Sequence, residues 1–179
     1  MSLSPSQILY TPEQRAKRDA TRWTLVQGVL APVQFLIFLA SLYLVVHSLN
    51  TGMLTDWALI SVVVKTLVLY AIMVTGSIWE KVVFGKYLFA PAFFWEDVVS
   101  MLVLGLHTAY LWVWWQGSWS ANDQLLLALV AYITYGINAA QYIRKLRMAR
   151  LQKPTPSNII TPTHVTLLYL SFLSSKFPE

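Results

Sequence analysis

Four long apolar runs, separated by short polar turns, set the pattern of this chain. The first extends from Trp23 to about Leu49 and is closed by Asn50-Thr51-Gly52. Pro32 predicts a kink inside it, and Gly28 and Ala31 offer a place for close helix contact. The second covers roughly Trp57 to Val83, with Gly85 and Pro91 marking the turn that follows. The third spans about Ala92 to Trp115, and Pro91 is placed to open it. After the turn Gln116-Gly117-Ser118-Trp119-Ser120, the fourth covers about Asp123 to Leu146, with Ser120 as its candidate cap. Each run exceeds the ~20 apolar residues that cross a bilayer core. Short turns make consecutive spans antiparallel neighbours, so the predicted fold is all-α. It is an integral membrane four-helix bundle over 23–146, with helices at about 23–49, 57–83, 92–115 and 123–146.

The flanks read differently. Residues 1–22 form a basic arm in which Thr11-Pro12-Glu13-Gln14 has the signature of a helix start, predicting a short interfacial amphipathic helix from Pro12 to Arg22. Met1 to Leu9 is polar and short, without the pattern of a cleavable signal. Residues 147–179 are basic and Pro-rich at first, then carry the apolar stretch Val165 to Leu173, too short to span and expected at the interface. The sequence has no internal repeat and no segment with the composition of a soluble domain.

Composition agrees with a membrane assignment: 56% of the 179 residues are hydrophobic and only 12% charged. Basic residues gather at the ends, with Arg15, Lys17, Arg18 and Arg22 before the first run and Arg144, Lys145, Arg147, Arg150 and Lys153 after the last. Between them there is no basic stripe, which argues against nucleic acid as a partner. The turns at 50–56 and 116–122 carry no Lys or Arg, so the positive-inside rule predicts both termini and the charged 79–97 loop on the cytoplasmic side. Cysteine is absent, excluding disulfides, thiolate metal sites and Cys nucleophiles.

Candidate chemistry concentrates in residues 79–97, where Glu80, Glu96, Asp97, Lys81 and Lys86 sit at a membrane boundary bracketed by Trp79-Glu80 and Trp95-Glu96. Ionisable groups there are costly, and a sequence that keeps several of them generally uses them. The predicted topology brings Gln27, Gln34, Glu80, Glu96, Asp97, Asn138 and Gln141 to similar depth. Glu96, Ser100 and His107 share one helical face, with His107 ~16 Å along the axis from Glu96. Tyr135, Asn138, Gln141 and Tyr142 share a side of the fourth helix, and together these outline a polar pocket open to the inner leaflet. Lys65 falls in the outer half, outside that pocket, and is expected to snorkel outward. Taken singly, each residue has a simpler role. The acids and lysines suit lipid headgroups, His107 an interhelical hydrogen bond, and the amides packing. The tryptophans Trp79, Trp95, Trp112, Trp114, Trp115 and Trp119 suit an interface belt. The coincidence of carboxylates, a His and amides at one depth favours function. No His-Glu metal spacing, Gly-rich phosphate loop or nucleophile elbow is present.

The block Ile78-Trp-Glu-Lys-Val-Val-Phe-Gly-Lys-Tyr-Leu-Phe-Ala-Pro-Ala-Phe-Phe-Trp-Glu-Asp97 resembles the 3-vinyl bacteriochlorophyllide hydratase family. So do Tyr10-Thr-Pro-Glu-Gln-Arg-Ala, the segment from Arg18 to Pro32, Val64-Lys-Thr-Leu67 and His107-Thr-Ala-Tyr110. The resemblance covers about residues 10 to 150. It implies addition of water to the C3 vinyl group of a chlorophyllide-type macrocycle, giving a 1-hydroxyethyl group, in bacteriochlorophyll synthesis. The expected setting is the cell inner membrane or photosynthetic intracytoplasmic membrane, with membrane lipid as the surroundings. No cofactor is expected, the magnesium belonging to the substrate.

Under that reading a carboxylic acid that keeps its proton supplies it to the terminal vinyl carbon. Glu96 beside Asp97 offers the acid, with Glu80 the alternative. The remaining carboxylate or His107 accepts a proton from the attacking water, unless His107 is instead an axial ligand to the substrate's magnesium. Trp79, Trp95 and Phe93 are expected to stack on the ring, Lys81 or Lys86 to pair with its propionate, and Asn138 and Gln141 to line the pocket. A 20.4 kDa bundle leaves little interior for such a ring, which points to a lateral groove or a junction between protomers of a homo-oligomer. Two other readings compete: a non-enzymatic pigment-binding or assembly subunit of a photosynthetic membrane complex, and a small ion-coupled transporter. The first needs no carboxylate cluster, and the second finds no inverted repeat here.

Overall fold

The computed structural model describes residues 9–151, which form five helices with no strand among them. These are α1 (Pro12–Ala20), α2 (Arg22–Thr51), α3 (Thr55–Phe84), α4 (Phe94–Gln116) and α5 (Ala121–Leu151). Residues 1–8 and the tail from 152, with Lys153 and Val165 to Leu173, lie outside the described residues.

Local chemistry explains the boundaries. The expected capping box closes α1: Gln14 N–H donates to Thr11 Oγ1 at 3.2 Å, and Thr11 N–H donates to Gln14 Oε1 at 2.9 Å. Ser120 caps α5, accepting from Asp123 N–H at 3.2 Å. Gly52, Gly85 and Gly117 end α2, α3 and α4 in the left-handed region that favours glycine. Pro91 does not open α4 as expected. The chain turns once more, with Phe93 N–H donating to Ala90 O at 2.8 Å, and the helix begins at Phe94. Gly28 faces open space rather than a close helix contact.

Four helices are long and apolar enough to cross a membrane, but only 22–28% of each span's apolar window is buried. The exposed remainder includes Leu25, Leu36, Leu67, Val74, Leu102 and Ile133, a surface that a hydrocarbon solvent accommodates and water does not. Polar residues instead turn inward, among them Gln34, Lys65, Ser100, His107 and Asn138. The chain is a multi-pass membrane protein.

Hydrogen bonds between spans set the registers. On α2 and α3, Gln27 pairs with Thr75, Ser41 with Ser61 and Ser48 with Thr55, so the helices run antiparallel. On α5 and α4, Asn138 pairs with Ser100 and Lys145 with Glu96, again antiparallel. The apolar core lies among Phe38, Val45, Val62, Leu69, Val103, Leu125 and Tyr132.

Candidate functional site

The end of α3 and the start of α4 bring Glu80 and Asp97 together across the 85–93 connection. Both are buried, and their carboxyl groups lie within hydrogen-bonding reach of one another. Two carboxyl groups make a hydrogen bond only when one carries a proton. Asp97 Oδ2 accepts from Phe89 N–H at 2.7 Å, and Oδ1 accepts from Tyr142 OH at 3.4 Å. Glu80 Oε1 is buried with no protein donor. The Phe89 amide therefore points at the pair, which favours one negative charge there. Phe89 adopts a positive φ of 59°, unusual for an aromatic residue, and the bond to Asp97 holds it there.

The expected neighbour pair separates. Glu96 Oε2 turns to α5 and accepts from Lys145 Nζ at 2.6 Å, and the same ammonium lies 5.0 Å from the centre of the Phe93 ring. Glu96 is thus a clamp between α4 and α5. It is Glu80 that joins Asp97.

The aromatic residues sort into two groups. Tyr10, Trp79, Phe84, Phe93 and Tyr142 pack on one another, and Trp79 Nε1 donates to Thr24 Oγ1 at 2.9 Å. Phe93 is only 4% exposed, so its ring faces are occupied, and it supports the site from below rather than stacking on a ligand. Burial within this cluster pushes the Tyr10 phenol up, against the pull of the Arg18 guanidinium, which lies 4.8 Å over its ring. Trp95, in contrast, is 70% exposed and stands edge-on to Phe94, which packs on Phe89. Phe89, Phe94 and Trp95 thus form an exposed aromatic shelf, tied to the carboxyl pair through the Phe89 amide. Lys81, in the last turn of α3, and Lys86, on the connection, are both exposed, and Lys81 Nζ donates to Gly85 O.

His107 and Lys65 form a second buried group deeper in the core, which corrects the expectation that Lys65 snorkels away. Both are 0% exposed, and Lys65 Nζ lies 2.8 Å from His107 Nε2. His107 Nδ1 faces Val103 O at 2.8 Å and therefore carries the ring proton, leaving Nε2 to accept from Lys65. With both nitrogens engaged, His107 has none free for an axial bond to magnesium. The Lys65 ammonium lies 3.9 Å from the Tyr135 ring centre and 5.3 Å from that of Tyr132. Tyr132 OH, Ser41 and Ser61 continue as a chain of hydroxyls ending on Ala58 O.

Asn138 Nδ2 donates to Ser100 Oγ at 2.8 Å, but Asn138 Oδ1 and Gln141 Oε1 are buried without a protein partner. The sequence pattern points to Tyr142 as pocket lining but not to Lys145 or the Phe89 amide as parts of the site. The signal available was register: in antiparallel helices, Asn138 against Ser100 places Tyr142 near Asp97 and Lys145 near Glu96. Among the described residues no cluster of three His, Cys, Asp or Glu side chains is set to hold a metal ion. Two surface grooves, one lined by Trp119 and Asp123 and one by Tyr43 and His47, lie away from the carboxyl pair and share none of its residues.

The family model described as 2-vinyl bacteriochlorophyllide hydratase matches residues 10–148. A protein of Rhodobacter capsulatus with that name is 64% identical over 144 residues, covering 80% of this chain and 84% of the relative. Another of the same name, from Cereibacter sphaeroides, is 62% identical over 148 residues, covering 83% and 92% respectively. No solved structure matches the chain.

Proposed function

The chain belongs to the 2-vinyl bacteriochlorophyllide hydratase family, and from that premise we propose that it hydrates the vinyl group of a chlorophyllide-type macrocycle by acid–base chemistry at Glu80 and Asp97. The vinyl-bearing carbon is numbered 2 or 3 according to the macrocycle scheme used. The observation that carries the mechanism is the buried carboxyl pair, held by the Phe89 amide beside an exposed aromatic shelf.

Asp97 takes two donors and is the ionised member, whereas Glu80 has an oxygen free to hold the shared proton. Glu80 delivers that proton to the terminal vinyl carbon, and the π electrons form the new C–H bond. The neighbouring carbon becomes cationic and is stabilised by conjugation with the ring, while the two carboxylates stabilise it electrostatically. Water adds to it through oxygen, and the proton it sheds returns to the pair. One water is consumed, and no electron acceptor is needed because addition of water leaves the overall oxidation level unchanged. The macrocycle lies on Trp95, Phe94 and Phe89, with its propionate toward Lys81 or Lys86, and its magnesium stays its own. Glu96, through Lys145, positions α4 against α5, and His107 acts away from the reacting atoms.

The site lies at the cytoplasmic ends of the spans, in an inner or intracytoplasmic photosynthetic membrane, with both termini cytoplasmic as the Lys and Arg distribution supports. The test uses membranes containing the protein, a vinyl chlorophyllide and ¹⁸O-labelled water without added cofactor. A labelled hydroxyethyl product by mass spectrometry is expected. Pigment that co-purifies unchanged would overturn the proposal in favour of a binding subunit.

A further inference from the structure

Buried polar groups lie at successive levels of the core between the carboxyl pair and Lys65. Contacts of α5 set its layers: Tyr142 meets Asp97, Asn138 meets Ser100, and Tyr132 stacks on His107. On α2, Phe38 packs on Tyr135 with ring centres 4.7 Å apart, and Ser41 meets Tyr132. Gln34, one turn earlier on α2, is therefore level with Asn138 in the antiparallel register.

The levels of Tyr142 and Asn138 carry unmet hydrogen-bonding capacity. Gln141 Oε1 and Asn138 Oδ1 are buried without a protein partner, and so are both amide atoms of Gln34, a residue only 1% exposed. In the middle of an apolar span such groups are costly unless something meets them. Replacement by Leu would remove the cost, yet α2 keeps an amide whose side chain bonds to nothing in the protein. The ligand that fits small, scattered donors and acceptors of both kinds is water, which bridges two to four such groups at once. Lys65 and His107 close the inner end, with Nζ donating to Nε2 and a ring of Phe38, Tyr132 and Tyr135 around the amine.

We propose that a file of bound water fills the core from Glu80 and Asp97 past Asn138 and Gln34 to Lys65, and that it supplies the water consumed at the carboxyl pair. The second half rests on the hydratase reading above. A flat macrocycle lying on the aromatic shelf covers the outer approach to the pair, so water reaches the cation from the protein interior. Each turnover draws one molecule from the file. Its oxygen bonds to carbon with one hydrogen, and its other proton replaces the one that Glu80 gave to the vinyl terminus. The file therefore carries water with no net movement of protons.

The test is radiolytic hydroxyl-radical labelling of the full chain in lipid nanodiscs, read by mass spectrometry. Tyr135 and Phe38, both nearly inaccessible from outside, should be oxidised in the wild-type protein. Gln34→Leu, which removes no protein hydrogen bond, should suppress that labelling and lower turnover about tenfold with pigment affinity unchanged. Gln34→Ser, which keeps a polar group and leaves room for water, should retain both. Unlabelled Tyr135 and Phe38, or labelling undiminished in Gln34→Leu, would overturn the water file even if labelled hydroxyethyl pigment forms. An oxidised interior in a protein that forms no such pigment would uphold the file and remove the hydratase reading instead.

Discussion

Replacing Glu80 by Gln separates the two carboxyl arrangements most sharply. The side chain is isosteric, and its amide can donate to Asp97 where the shared proton did. One hydrogen bond replaces another, so folding stability should change by no more than about 1 kcal/mol. Catalysis is different, because an amide cannot deliver a proton to carbon. Loss of a positioned general acid lowers the rate by about 10²- to 10⁴-fold, about 3–5 kcal/mol of barrier. The Glu96→Gln variant is the comparison. Its amide still accepts from Lys145, which lies 2.6 Å from Glu96 Oε2, so turnover should fall less than about tenfold. The assay counts labelled hydroxyethyl pigment per unit of protein, with pigment binding followed by absorbance and folding by thermal denaturation in detergent. Near-normal turnover in Glu80→Gln with a dead Glu96→Gln would refute the assignment and return the acid to the sequential Glu96–Asp97 pair.

Other outcomes follow from the same geometry. Lys145→Met leaves Glu96 buried without its cation and should destabilise the fold by about 1–3 kcal/mol, whereas adding Glu96→Leu should recover much of that in a double-mutant cycle. Trp95→Ala removes exposed shelf area and should weaken pigment binding by about 0.5–1.5 kcal/mol with little effect on the maximal rate, measured by titration and by the KM-against-kcat split. His107→Leu strands the Lys65 amine and should lower the unfolding temperature, with Lys65→Met in the same chain restoring it; independent effects of the two changes would show that the contact is not energetically coupled. Because one proton must rest on the carboxyl pair, turnover should peak at intermediate pH. Rising pH strips the proton and falling pH adds a second, so Asp97→Asn should flatten the acid limb of whatever activity remains.

Much of the architecture was legible in the chain itself. The expected spans differ from the helices by a few residues at either end, because bilayer thickness dictates their length and glycine and serine punctuate their ends. Thr11 with Gln14, Gly52 and Ser120 needed only neighbours within a turn or two, so their roles could be read locally. Pro91 misled because its φ preference suits a turn as well as a helix start, and the Phe93–Ala90 hydrogen bond decides between them.

The site was legible in content but not in pairing. Sequence placed Glu80, Glu96, Asp97, Asn138 and Gln141 at one end of the spans, and there they lie. Depth in a membrane follows from position along a helix, which counting supplies. Which side chains meet depends on rotation about each helix axis and on the offset between helices, and no local signal carries either. Glu96 and Asp97 are adjacent in sequence, yet successive residues diverge by about 100° around a helix, so one turns to Lys145 and the other to Glu80. Lys65 and His107, 42 positions apart, meet only because α3 and α4 lie side by side at that offset. Hydropathy and chain length determined the spans; packing between them decided the chemistry.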